Sequence, residues 1–528
     1  MDKNQINKQE EIHRSGKMIE KPLELLITER KKKLEAIRAM GVNPYDNRFE
    51  RTHEIKEIIE KHSKIKADEK LKKVKVAVAG RIRSLRKHGG GSFADLEDFS
   101  GKIQFWISLD SVGKEVYDLF EKIDVGDIVG IKGFVFKTKK GELSVWVEEF
   151  KLLAKSLRPL PSNWFGLKDV ETRYRQRYVD LIVNTQVRKT FEVRSKVIQA
   201  MKEYFIKNGY LEVETPVLQP VYGGAFARPF ATHHNALDMK MYLRISNEMY
   251  LKRLIVGGLE KVFEFSLDFR NEGVDTSHNP EFLLMEAMTA YTDYKDGMKL
   301  IENITVYTVK KVLGTTKVNY LGTQIDFSSP WKKIKMVDAI KEHTKLDAVK
   351  SSEAELKNFL KKHGLEVKED VKKGELVDLI FEELVEPKLI QPTIVYDYPT
   401  EVSPLSKKCD DNPQFAERFE LFIAGKELGN NYTEIHDPIE LRRRFTEELK
   451  RSEAGDEEAH PMDEDFLRAV EHGMPPTCGI AIGIDRLVMI LTNSPSIRDV
   501  VLFPALRKTK EEIYGDEEKY RILKKQIA

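Results

Sequence analysis

Cysteine is nearly absent from this chain of 528 residues, which has only Cys409 and Cys478. Two cysteines exclude a disulfide framework and a cysteine-rich metal site, and they fit a reducing compartment. The chain also lacks any run of ~18 apolar residues, the length that a membrane-spanning helix needs. Its first residues are polar and mixed in charge, without the apolar segment of a secretory signal. We therefore expect a soluble, cytoplasmic protein with no membrane partner.

An excess of charge of one sign is missing too, because 88 basic and 86 acidic residues leave a formal net charge of +2. The total charge therefore gives no argument for nucleic-acid binding, and any RNA contact must come from local basic patches. One basic run, Arg30 to Lys33, accompanies a broken apolar stripe. A solvated helix face and an RNA contact remain the alternatives for it.

The pattern of apolar residues divides the chain, which is too long for a single hydrophobic core. Residues 1–70 are charge-rich and helical in pattern, whereas several short strands and one helical segment within residues 71–155 are typical of an OB-fold barrel. Proline-rich sequence predicts a linker at 156–184. Residues 185–528 mix helices with strands. Within them, a charged helical segment at about 330–390 carries no chemical motif and is interpreted as an insertion.

Barrels of the OB kind bind single-stranded nucleic acid by stacking bases on aromatic side chains over a basic groove. Phe93, Phe105 and Trp106 are the candidate platforms, and the barrel core is the alternative place for each ring. Nearby basic residues that can supply charge are Arg81, Arg83, Arg86, Lys87 and His88.

A second set of polar residues follows an alternating apolar segment, Val262 to Glu272. The alternation predicts a half-buried strand with Arg270 and Glu272 on one face, and plain surface alternation is the alternative. A polar loop, Gly273 to Pro280, separates this strand from a second one at Glu281 to Glu286. Cationic and donor groups beside an aromatic ring on such a hairpin are what a bound nucleoside triphosphate needs.

Two further segments carry weaker signals. From Gly479 to Met489, small residues alternate with aliphatic ones before an apparent helix, so a ligand or another backbone can approach closely. A buried strand–helix junction is the alternative, and it explains the glycines but not Arg486. The segment from Gly209 to Pro216 leads from a helix through a turn into a strand, and alone it predicts only packing.

In their order along the chain, these segments resemble motifs 1, 2 and 3 of the class II aminoacyl-tRNA synthetases. Phe269 to Glu272 resembles the F-R-x-E pattern of motif 2, and Ala481 to Arg486 resembles the G-x-G-x-x-R pattern of motif 3 with alanine for its first glycine. Pro216 matches the proline of motif 1. The barrel narrows the resemblance to the subclass for aspartate, asparagine or lysine. Similarity to the lysyl-tRNA synthetase family covers nearly the whole chain and includes Gly41–Tyr45, Arg173–Tyr178, Arg228–Phe230, Thr232–Asn235 and Glu401–Leu405.

The resemblance implies an α+β fold, with an N-terminal OB-fold anticodon-binding barrel and a class II catalytic domain whose antiparallel sheet carries the helical insertion. It implies ATP-dependent activation of L-lysine to lysyl-adenylate with release of pyrophosphate, followed by transfer of lysine to the 3′-end of tRNA(Lys). Mg²⁺ is the implied cofactor, and motif 1 implies a homodimer. Such chemistry needs alignment and neutralised charge rather than a nucleophilic side chain.

The resemblance also implies a role for individual residues, with Arg270, Glu272 and Arg486 as the catalytic set. The implied ATP-binding residues are Arg270, Glu272, His278, Asn279, Phe282, Glu427 and Arg486. The implied lysine-binding residues are Gly224, Glu248, Arg270, Glu286, Asn430, Tyr432, Glu434 and Gly479. Glu420 and Glu427 match the carboxylates that hold Mg²⁺, and Phe93, Gln104 and Glu142 match the residues that bind the anticodon.

Pocket charge favours lysine among the possible substrates, because Glu286 and Glu434 would repel an acidic side chain. Met288, at a position where many relatives have tyrosine, and Ala481 depart from the family pattern. An aspartyl- or asparaginyl-type synthetase is the nearest alternative. A lysyltransferase paralogue that modifies an elongation factor lacks the barrel, and a non-catalytic RNA-binding protein would not need to retain Arg270, Glu427 and Arg486.

Overall fold

The computed structural model describes residues 22–161, 167–368, 371–453 and 461–509. The chain forms two compact units, residues 1–166 and 167–528. Residues 1–21 of the predicted N-terminal extension lie outside the described residues. Within the described ranges, no helix combines the length and the apolar character needed to cross a membrane.

The first unit is a closed five-stranded barrel with accompanying helices. Its helices are α1 (Leu23–Ala39), α2 (Ile55–His62), α3 (Leu109–Val112) and α4 (Lys114–Phe120). Its strands are β1 (Lys70–His88), β2 (Gly91–Glu97), β3 (Lys102–Ser108), β4 (Ile128–Lys137) and β5 (Leu143–Ala154). They follow the order β1-β2-β3-β5-β4, in which β3 and β5 run parallel and the other neighbours antiparallel. The predicted barrel is confirmed.

Alternation along the strands separates the barrel core from its surface. Val76, Val78 and Ile82 of β1 are buried, as the period of two predicts. Phe105 is completely buried in the core, so its assignment as a candidate base platform is wrong. Its neighbour Trp106 points to the opposite face of β3 and is only half-buried.

The basic run on α1 is partly committed to packing within the first unit. The Arg30 guanidinium donates to the carbonyl oxygens of Val125 (2.9 Å) and Ser156 (3.1 Å). The Lys33 ammonium pairs with Asp124 at 2.5 Å. Arg30 and Lys33 therefore attach α1 to the barrel, whereas Lys31 and Lys32 are exposed, as on a solvated helix face.

The second unit contains the remaining elements. Its helices are α5 (Val170–Arg175), α6 (Arg177–Val183), α7 (Thr185–Lys207), α8 (Glu248–Val256), α9 (Tyr294–Leu313), α10 (Met336–Thr344), α11 (Glu353–Lys362), α12 (Lys373–Leu384), α13 (Pro438–Glu453), α14 (Glu464–Glu471), α15 (Ile484–Leu491) and α16 (Ile497–Val500). Its strands are β6 (Leu211–Glu212), β7 (Leu218–Gln219), β8 (Ala231–His234), β9 (Met239–Leu243), β10 (Lys261–Phe269), β11 (Glu281–Ala290), β12 (Lys317–Tyr320), β13 (Thr323–Asp326), β14 (Lys332–Lys335), β15 (Thr393–Pro399), β16 (Phe415–Ile423), β17 (Lys426–Thr433) and β18 (Thr477–Gly483).

An eight-stranded sheet with the order β14-β15-β16-β17-β18-β11-β10-β6 forms the centre of this unit. Its inner pairs are antiparallel, as predicted, whereas β14 with β15 and β6 with β10 are parallel pairs at the two edges. Helices α7, α9 and α15 contribute to the apolar core that packs against the sheet. The fold is thus α+β.

The boundary between the two units differs from the predicted linker at 156–184. Helices α5 and α6 lie inside the second unit, where Arg177 is completely buried. Its guanidinium pairs with Asp180 at 2.7 Å and donates to the carbonyl oxygens of Arg498 (2.6 Å) and Leu502 (3.0 Å). The linker prediction is therefore wrong for residues 167–184, because buried Arg177 connects this segment to residues 498–502 of the second unit.

The predicted insertion at 330–390 is a crossover between two neighbouring parallel strands. Helices α10, α11 and α12 connect β14 to β15 and share an apolar cluster that includes Ile340, Leu360 and Phe381. Parallel strands need such a connection because a tight turn cannot join them. The crossover is consequently an integral part of the sheet rather than an appendage.

Candidate active site

A cavity of about 590 Å³ opens over the central strands of the second unit. It is lined by every residue of the catalytic domain that the sequence predicted for the site, namely Gly224, Glu248, Arg270, Glu272, His278, Asn279, Phe282, Glu286, Glu420, Glu427, Asn430, Tyr432, Glu434, Gly479 and Arg486. The two departures from the family pattern, Met288 and Ala481, line it as well. The ligand that each residue binds stays a prediction.

The β10–β11 hairpin carries one end of the cavity. Its strands pair from Lys261 with Thr289 to Phe269 with Glu281, which confirms the predicted strand–loop–strand. Strand β10 ends at Phe269, however, so Arg270 and Glu272 lie in the loop and their placement on a strand face is wrong. The Arg270 amide donates to the Pro280 carbonyl (2.9 Å), and beyond it the chain leaves the strand ladder.

Cationic side chains collect at this hairpin end. The Arg270 guanidinium lies over the Phe282 ring, 5.0 Å from its centroid. Arg486, in the first turn of α15, donates to the Glu427 carbonyl oxygen (2.6 Å) and pairs with the Glu427 carboxylate (3.1 Å). Its second terminal nitrogen is 3.3 Å from Nε2 of His278. Two guanidinium groups and an aromatic ring lining the same cavity suit a polyanionic ligand with a flat base.

Carboxylates occupy the other end of the cavity. Glu286 lies on β11, Glu434 directly follows β17, and Glu248 begins α8; all three are buried. The Glu286 Oε1 atom accepts a hydrogen bond from the Ser246 hydroxyl (3.2 Å). The Tyr432 hydroxyl donates to Oε2 of Glu248 at 2.5 Å. Among the described residues, Oε2 of Glu286 and both oxygens of Glu434 are buried without a hydrogen-bond partner, except that Oε2 of Glu434 forms an ion pair with Lys252.

Two glycines, Gly479 and Gly224, leave space for side chains at the acidic end, because a Cβ atom at either position would overlap a neighbouring side chain. A Cβ on Gly479 would overlap Oε1 of Glu434 and come within 2.9 Å of the Met288 sulfur. Gly224 has φ = +91°, and a Cβ there would lie 2.8 Å from the Ser246 hydroxyl oxygen. Glycine is required at Gly224 by both its backbone angle and its surroundings. These positions keep the acidic end open to a ligand.

Burial makes ionisation costly at the acidic end. It raises the pKa of Glu286, and the neighbouring Asp268 and Glu248 raise it further. Burial also raises the pKa of Glu434 to about 8, against the opposing effect of the Lys252 ammonium. A buried carboxylate whose oxygen lacks a donor is destabilised when charged. A ligand that brings ammonium groups to these oxygens would relieve that cost.

A further group of carboxylates lines the cavity from the crossover. Sequence reasoning gave this segment no chemistry, yet Glu375, Asp378, Glu382 and Glu386 of α12 and the turn after it face the cavity. Burial raises the pKa of Glu382 and of Glu386 to about 7, and the nearby Glu420 and Glu427 contribute to these shifts. Their spacing of three or four residues, which places side chains on one helix face, was the available signal.

The predicted metal ligands differ in their surroundings. Glu420 is buried, pairs with Arg418 at 2.5 Å and accepts a hydrogen bond from the Tyr398 hydroxyl at 2.8 Å. Burial raises the pKa of Glu420 to about 7, although Arg418 opposes the shift. Glu427 is paired with Arg486. The described residues contain no group of three or more histidine, cysteine or acidic side chains arranged to hold a metal ion by themselves.

The predicted anticodon-binding residues lie on neighbouring parts of the barrel. Phe93 on β2 is half-buried, and its ring centroid is 4.5 Å from that of Trp106 on β3. Gln104 pairs in register with Ser144 of β5 and accepts its hydroxyl hydrogen bond (3.0 Å). Glu142 is exposed in the turn before β5. The structure therefore brings the three residues to adjoining strands of one face.

Several of the basic residues predicted to serve this face are paired with carboxylates. Arg83 lies 2.8 Å from Glu97, and Arg86 lies 3.0 Å from Asp95. An aromatic residue missed by sequence reasoning, Trp146, adjoins Trp106 with ring centroids 6.3 Å apart. The only signal for Trp146 in the sequence was its place in the alternating pattern of β5. This pattern does not show whether the ring lies in the core or on the surface.

Comparison with known proteins agrees with both units. The family described as class II tRNA synthetases (D, K and N) matches residues 169–507, and the OB-fold nucleic acid binding domain matches residues 76–153. The chain is 54% identical over 485 residues to a lysine–tRNA ligase of Thermoanaerobacter sp. strain X514, covering 91% of this chain and 96% of the relative. It is 52% identical over 483 residues to the lysine–tRNA ligase of Carboxydothermus hydrogenoformans, covering 91% and 98%. A lysine–tRNA ligase of Bacillus cereus strain AH187 is 51% identical over 484 residues, covering 91% and 97%.

These matches span both units, and the site residues named from the sequence meet in one cavity of the second unit. The predicted recognition and fold class are thereby confirmed. The chain belongs to the class II aminoacyl-tRNA synthetases and, within them, to the lysine–tRNA ligase family.

Proposed function

We propose that this chain activates L-lysine with ATP and transfers it to tRNA(Lys). In the first step, a carboxylate oxygen of lysine attacks the α-phosphorus of ATP, and the bond from that phosphorus to the β-phosphate oxygen breaks. Pyrophosphate leaves with the bonding electrons, and lysyl-adenylate remains. In the second step, a hydroxyl of the terminal tRNA ribose attacks the adenylate carbonyl, AMP leaves, and the hydroxyl proton goes to solvent or phosphate.

The observation that supports lysine most directly is the pair of partnerless carboxylate oxygens, Oε2 of Glu286 and Oε1 of Glu434. Oxygens of this kind, buried at the closed end of a cavity, need hydrogen-bond donors that carry positive charge. Lysine supplies two ammonium groups. An aspartate side chain would add a third negative charge there, and an asparagine amide would leave the carboxylates uncompensated.

Residues at the cationic end of the cavity align the α-phosphate of ATP with the carboxylate of lysine in this proposal. Arg270 holds the α-phosphate and the substrate carboxylate in this proposal, since its planar fork donates to two oxygens together. Phe282 offers a ring face to adenine, and Arg486 covers the opposite side of the base. His278 and Asn279 lie along the nucleotide, while Glu272 accepts from the adenine amino group. The residues bind and orient both substrates, and none of them forms a covalent intermediate.

Mg²⁺ fits the carboxylate oxygens on this side of the cavity. Glu420 and Glu427 would hold it, because Mg²⁺ prefers hard oxygen ligands and completes its shell with phosphate oxygens and water. Bound there, the ion would neutralise negative charge on the triphosphate. Burial raises the pKa of Glu420 despite its ion pair with Arg418, so a bound cation would favour the ionised carboxylate.

The barrel supports tRNA as the acceptor. Phe93 stacks on an anticodon base in this proposal, and Gln104 and Glu142 contact base edges. An acceptor protein in place of tRNA would leave this aromatic face without a ligand. Charged tRNA is consumed during translation, so we place the enzyme in the cytoplasm.

We also propose that two copies associate through the region of motif 1. Helix α7 and the strand segments after it expose Ile206 (59%), Leu211 (51%) and Leu218 (45%). Apolar side chains of this size on neighbouring elements are typical of an interface. Sedimentation at several concentrations tests the association, and a monomer at micromolar concentration would refute it.

Amino-acid-dependent exchange of radiolabelled pyrophosphate into ATP tests the proposed activation. Each amino acid is assayed separately, and we expect exchange with L-lysine to exceed that with any other by at least about a hundredfold, since discrimination rests on buried charge. Charging of a tRNA(Lys) transcript tests the second step. Better exchange with another amino acid would overturn the substrate assignment.

A further inference from the structure

A lysine of the protein itself lies behind the acidic end of the cavity, where it contacts two of the glutamates that line it. Lys252 lies one helical turn after Glu248 on α8, and its side chain is 2% exposed. Its ammonium pairs with Oε1 of Glu248 and, at 2.5 Å, with Oε2 of Glu434. The contact with Glu248 is visible in the sequence as an i, i+4 pair. The contact with Glu434 exists only in the fold.

Aromatic rings enclose the same ammonium. It lies 5.4 Å from the centroid of Tyr432 and 5.9 Å from that of Phe466. Tyr432 also donates its hydroxyl to the other oxygen of Glu248. These contacts hold Lys252 between its two carboxylates and separate it from solvent, so it has the position of a fixed counter-ion.

Counting charges shows what this counter-ion does to the pocket. Glu248, Glu286 and Glu434 would together give three negative charges when ionised, and Lys252 reduces the sum to two. A lysine substrate brings two ammonium groups to this end of the cavity, while its carboxylate belongs to the Arg270 end. The charges of these three carboxylates, of Lys252 and of the two substrate ammonium groups then sum to zero, while Glu264, Asp268 and Arg244 form a further ion cluster behind Glu286.

The contacts also divide the carboxylate oxygens between protein and ligand. Lys252 and Tyr432 use both oxygens of Glu248 and one oxygen of Glu434. Oε1 of Glu434 then points to the site where Gly479 leaves space, and it has no hydrogen-bond partner among the described residues. Lys252 thus fixes the orientation of Glu434 as well as compensating its charge.

We propose that Lys252 is a positioning residue for substrate recognition, which favours the ionised form of Glu434 and orients its carboxylate so that the pocket accepts a ligand with two ammonium groups. This inference rests on the proposed function and deepens it. Lys252 does not touch the reacting atoms. It acts through Glu434 and Glu248, and its removal should change lysine binding rather than the chemical step.

Titration gives the proposal a specific signature. Burial would lower the pKa of Lys252, but Glu248 and Glu434 outweigh it and raise the pKa, so the group stays an ammonium. Lys252 in turn lowers the pKa of Glu434, and its loss must move that pKa upward. The groups that face this pair are Glu248 of α8, Glu286 of β11, Tyr432 of β17 and Cys478 of β18, with Asp268 and Glu264 of β10 behind Glu286. The cation nearest to these β10 carboxylates, Arg244, is already paired with Glu264 (2.7 Å) and Asp268 (3.3 Å).

The test compares the full-length wild type with Lys252→Met, which removes the charge and keeps most of the volume. The KM for lysine in pyrophosphate exchange is measured from pH 6 to 9, together with the KM for ATP and with kcat at saturating lysine. We expect Lys252→Met to raise the KM for lysine by about tenfold or more at pH 7, since each unit of pKa shift is a factor of ten. The pH range over which the KM for lysine decreases should lie at higher pH in Lys252→Met than in the wild type. The KM for ATP should change less than threefold.

Lys155 of the barrel provides a matched control. It is also a buried lysine between two carboxylates, Asp124 (2.6 Å) and Asp127 (2.8 Å). Lys155→Met should reduce thermal stability and leave the lysine KM and its pH profile unchanged. An unchanged lysine KM in Lys252→Met, or a parallel rise in the ATP KM, would overturn the proposal.

Lys252→Arg keeps the positive charge and serves if Lys252→Met does not fold. Its lysine KM should follow the wild-type pH profile, even if the larger side chain raises its absolute value. If the pH profile of the lysine KM in Lys252→Arg shifted to higher pH, the packing of Lys252 rather than its charge would account for its effect on lysine binding. That result would overturn the proposal. Failure of the proposed function is separate, because it would appear as absent lysine-dependent exchange in the wild type.

Discussion

The two units of the molecule contain the same ionic arrangement with different outcomes. In the barrel, Lys155 bridges Asp124 and Asp127, and Asp127 also accepts hydrogen bonds from the amides of Asp124 (2.8 Å) and Ser156 (2.7 Å). In the catalytic unit, Lys252 bridges Glu248 and Glu434 but leaves one oxygen of Glu434 without a partner within the described residues.

The difference teaches how to distinguish a structural ion pair from a ligand site. Buried charge whose hydrogen bonds are all made contributes to the fold and has nothing left for a ligand. Buried charge with an unused oxygen beside an open cavity costs free energy until a ligand completes it. Comparing matched changes in the two units therefore separates loss of recognition from loss of stability.

The largest effect is expected at the cationic end of the cavity. Arg270→Ala removes the guanidinium proposed to hold the α-phosphate, and we expect kcat/KM for pyrophosphate exchange to fall about a thousandfold, the upper range for one preorganised donor. Arg48→Ala is the control in the first unit, where the side chain is 80% exposed and pairs only with Glu50 among the ion pairs described. Arg270→Ala with more than a tenth of wild-type activity would refute this role.

A smaller effect is expected from Glu434, the carboxylate whose Oε1 atom has no hydrogen-bond partner among the described residues. Glu434→Gln keeps the shape of the side chain and removes its charge, so kcat/KM for lysine should fall about a hundredfold, as for one partner of a buried charged pair. The KM for ATP should stay within threefold. Asp127→Asn makes the corresponding change in the barrel, and it should lower the melting temperature without changing the lysine KM. Equal effects of the two substitutions on lysine KM would invalidate the comparison.

A substitution in the barrel is expected to affect only the use of tRNA. Phe93→Ala removes one stacking platform, and we expect the KM for tRNA(Lys) in charging to rise about tenfold, as for the loss of one base–aromatic stack. Lysine-dependent exchange should be unchanged. Phe99→Ala, at a loop residue that is 72% exposed, is the control and should leave charging intact. Loss of exchange in Phe93→Ala would contradict the division of labour between the units.

The smallest effect concerns pH in the wild type. Since the pKa of Glu434 is raised to about 8, mainly by burial, the carboxyl is mostly protonated below that pH in the free enzyme. Lysine binding requires the ionised form, so the KM for lysine should fall several-fold from pH 6.5 to 8. The pH dependence of the KM for ATP provides the comparison and should be weaker. A lysine KM that rises over this interval would have the wrong sign.

The barrel and the hairpin were predictable from the sequence because each has a local signature, whereas most residues of the cavity were named through the family resemblance. Glu286, for example, lies four residues after Phe282 on a predicted strand, which the structure places at Glu281–Ala290. Arg270 was placed incorrectly because the pattern of side chains does not reveal where a strand ladder ends. The pairing of Lys252 with Glu434 was not predictable, since it joins α8 to the end of β17 through the sheet order.

The crossover carboxylates were missed for a related reason. Asp378, Glu382 and Glu386 have the ordinary spacing of a solvated helix face, which is the more common role of such a pattern. Only the parallel pairing of β14 with β15 brings α12 to the cavity. Burial then raises the pKa of Asp378 to about 6, which is unusual for a surface helix. Chain topology, rather than local composition, determines whether these residues have a functional environment.

Strand β11 carries Phe282 at one end of the cavity and Glu286 at the other. The two residues are four positions apart, so they share a face of the sheet and lie about 13 Å from each other along it. The rise per residue of the strand therefore sets the separation between the sites proposed for the nucleotide base and the amino-acid side chain. Inserting one residue between them would turn either the Phe282 ring or the Glu286 carboxylate to the other face of the sheet. The cavity could then no longer bind the nucleotide base and the amino-acid side chain together.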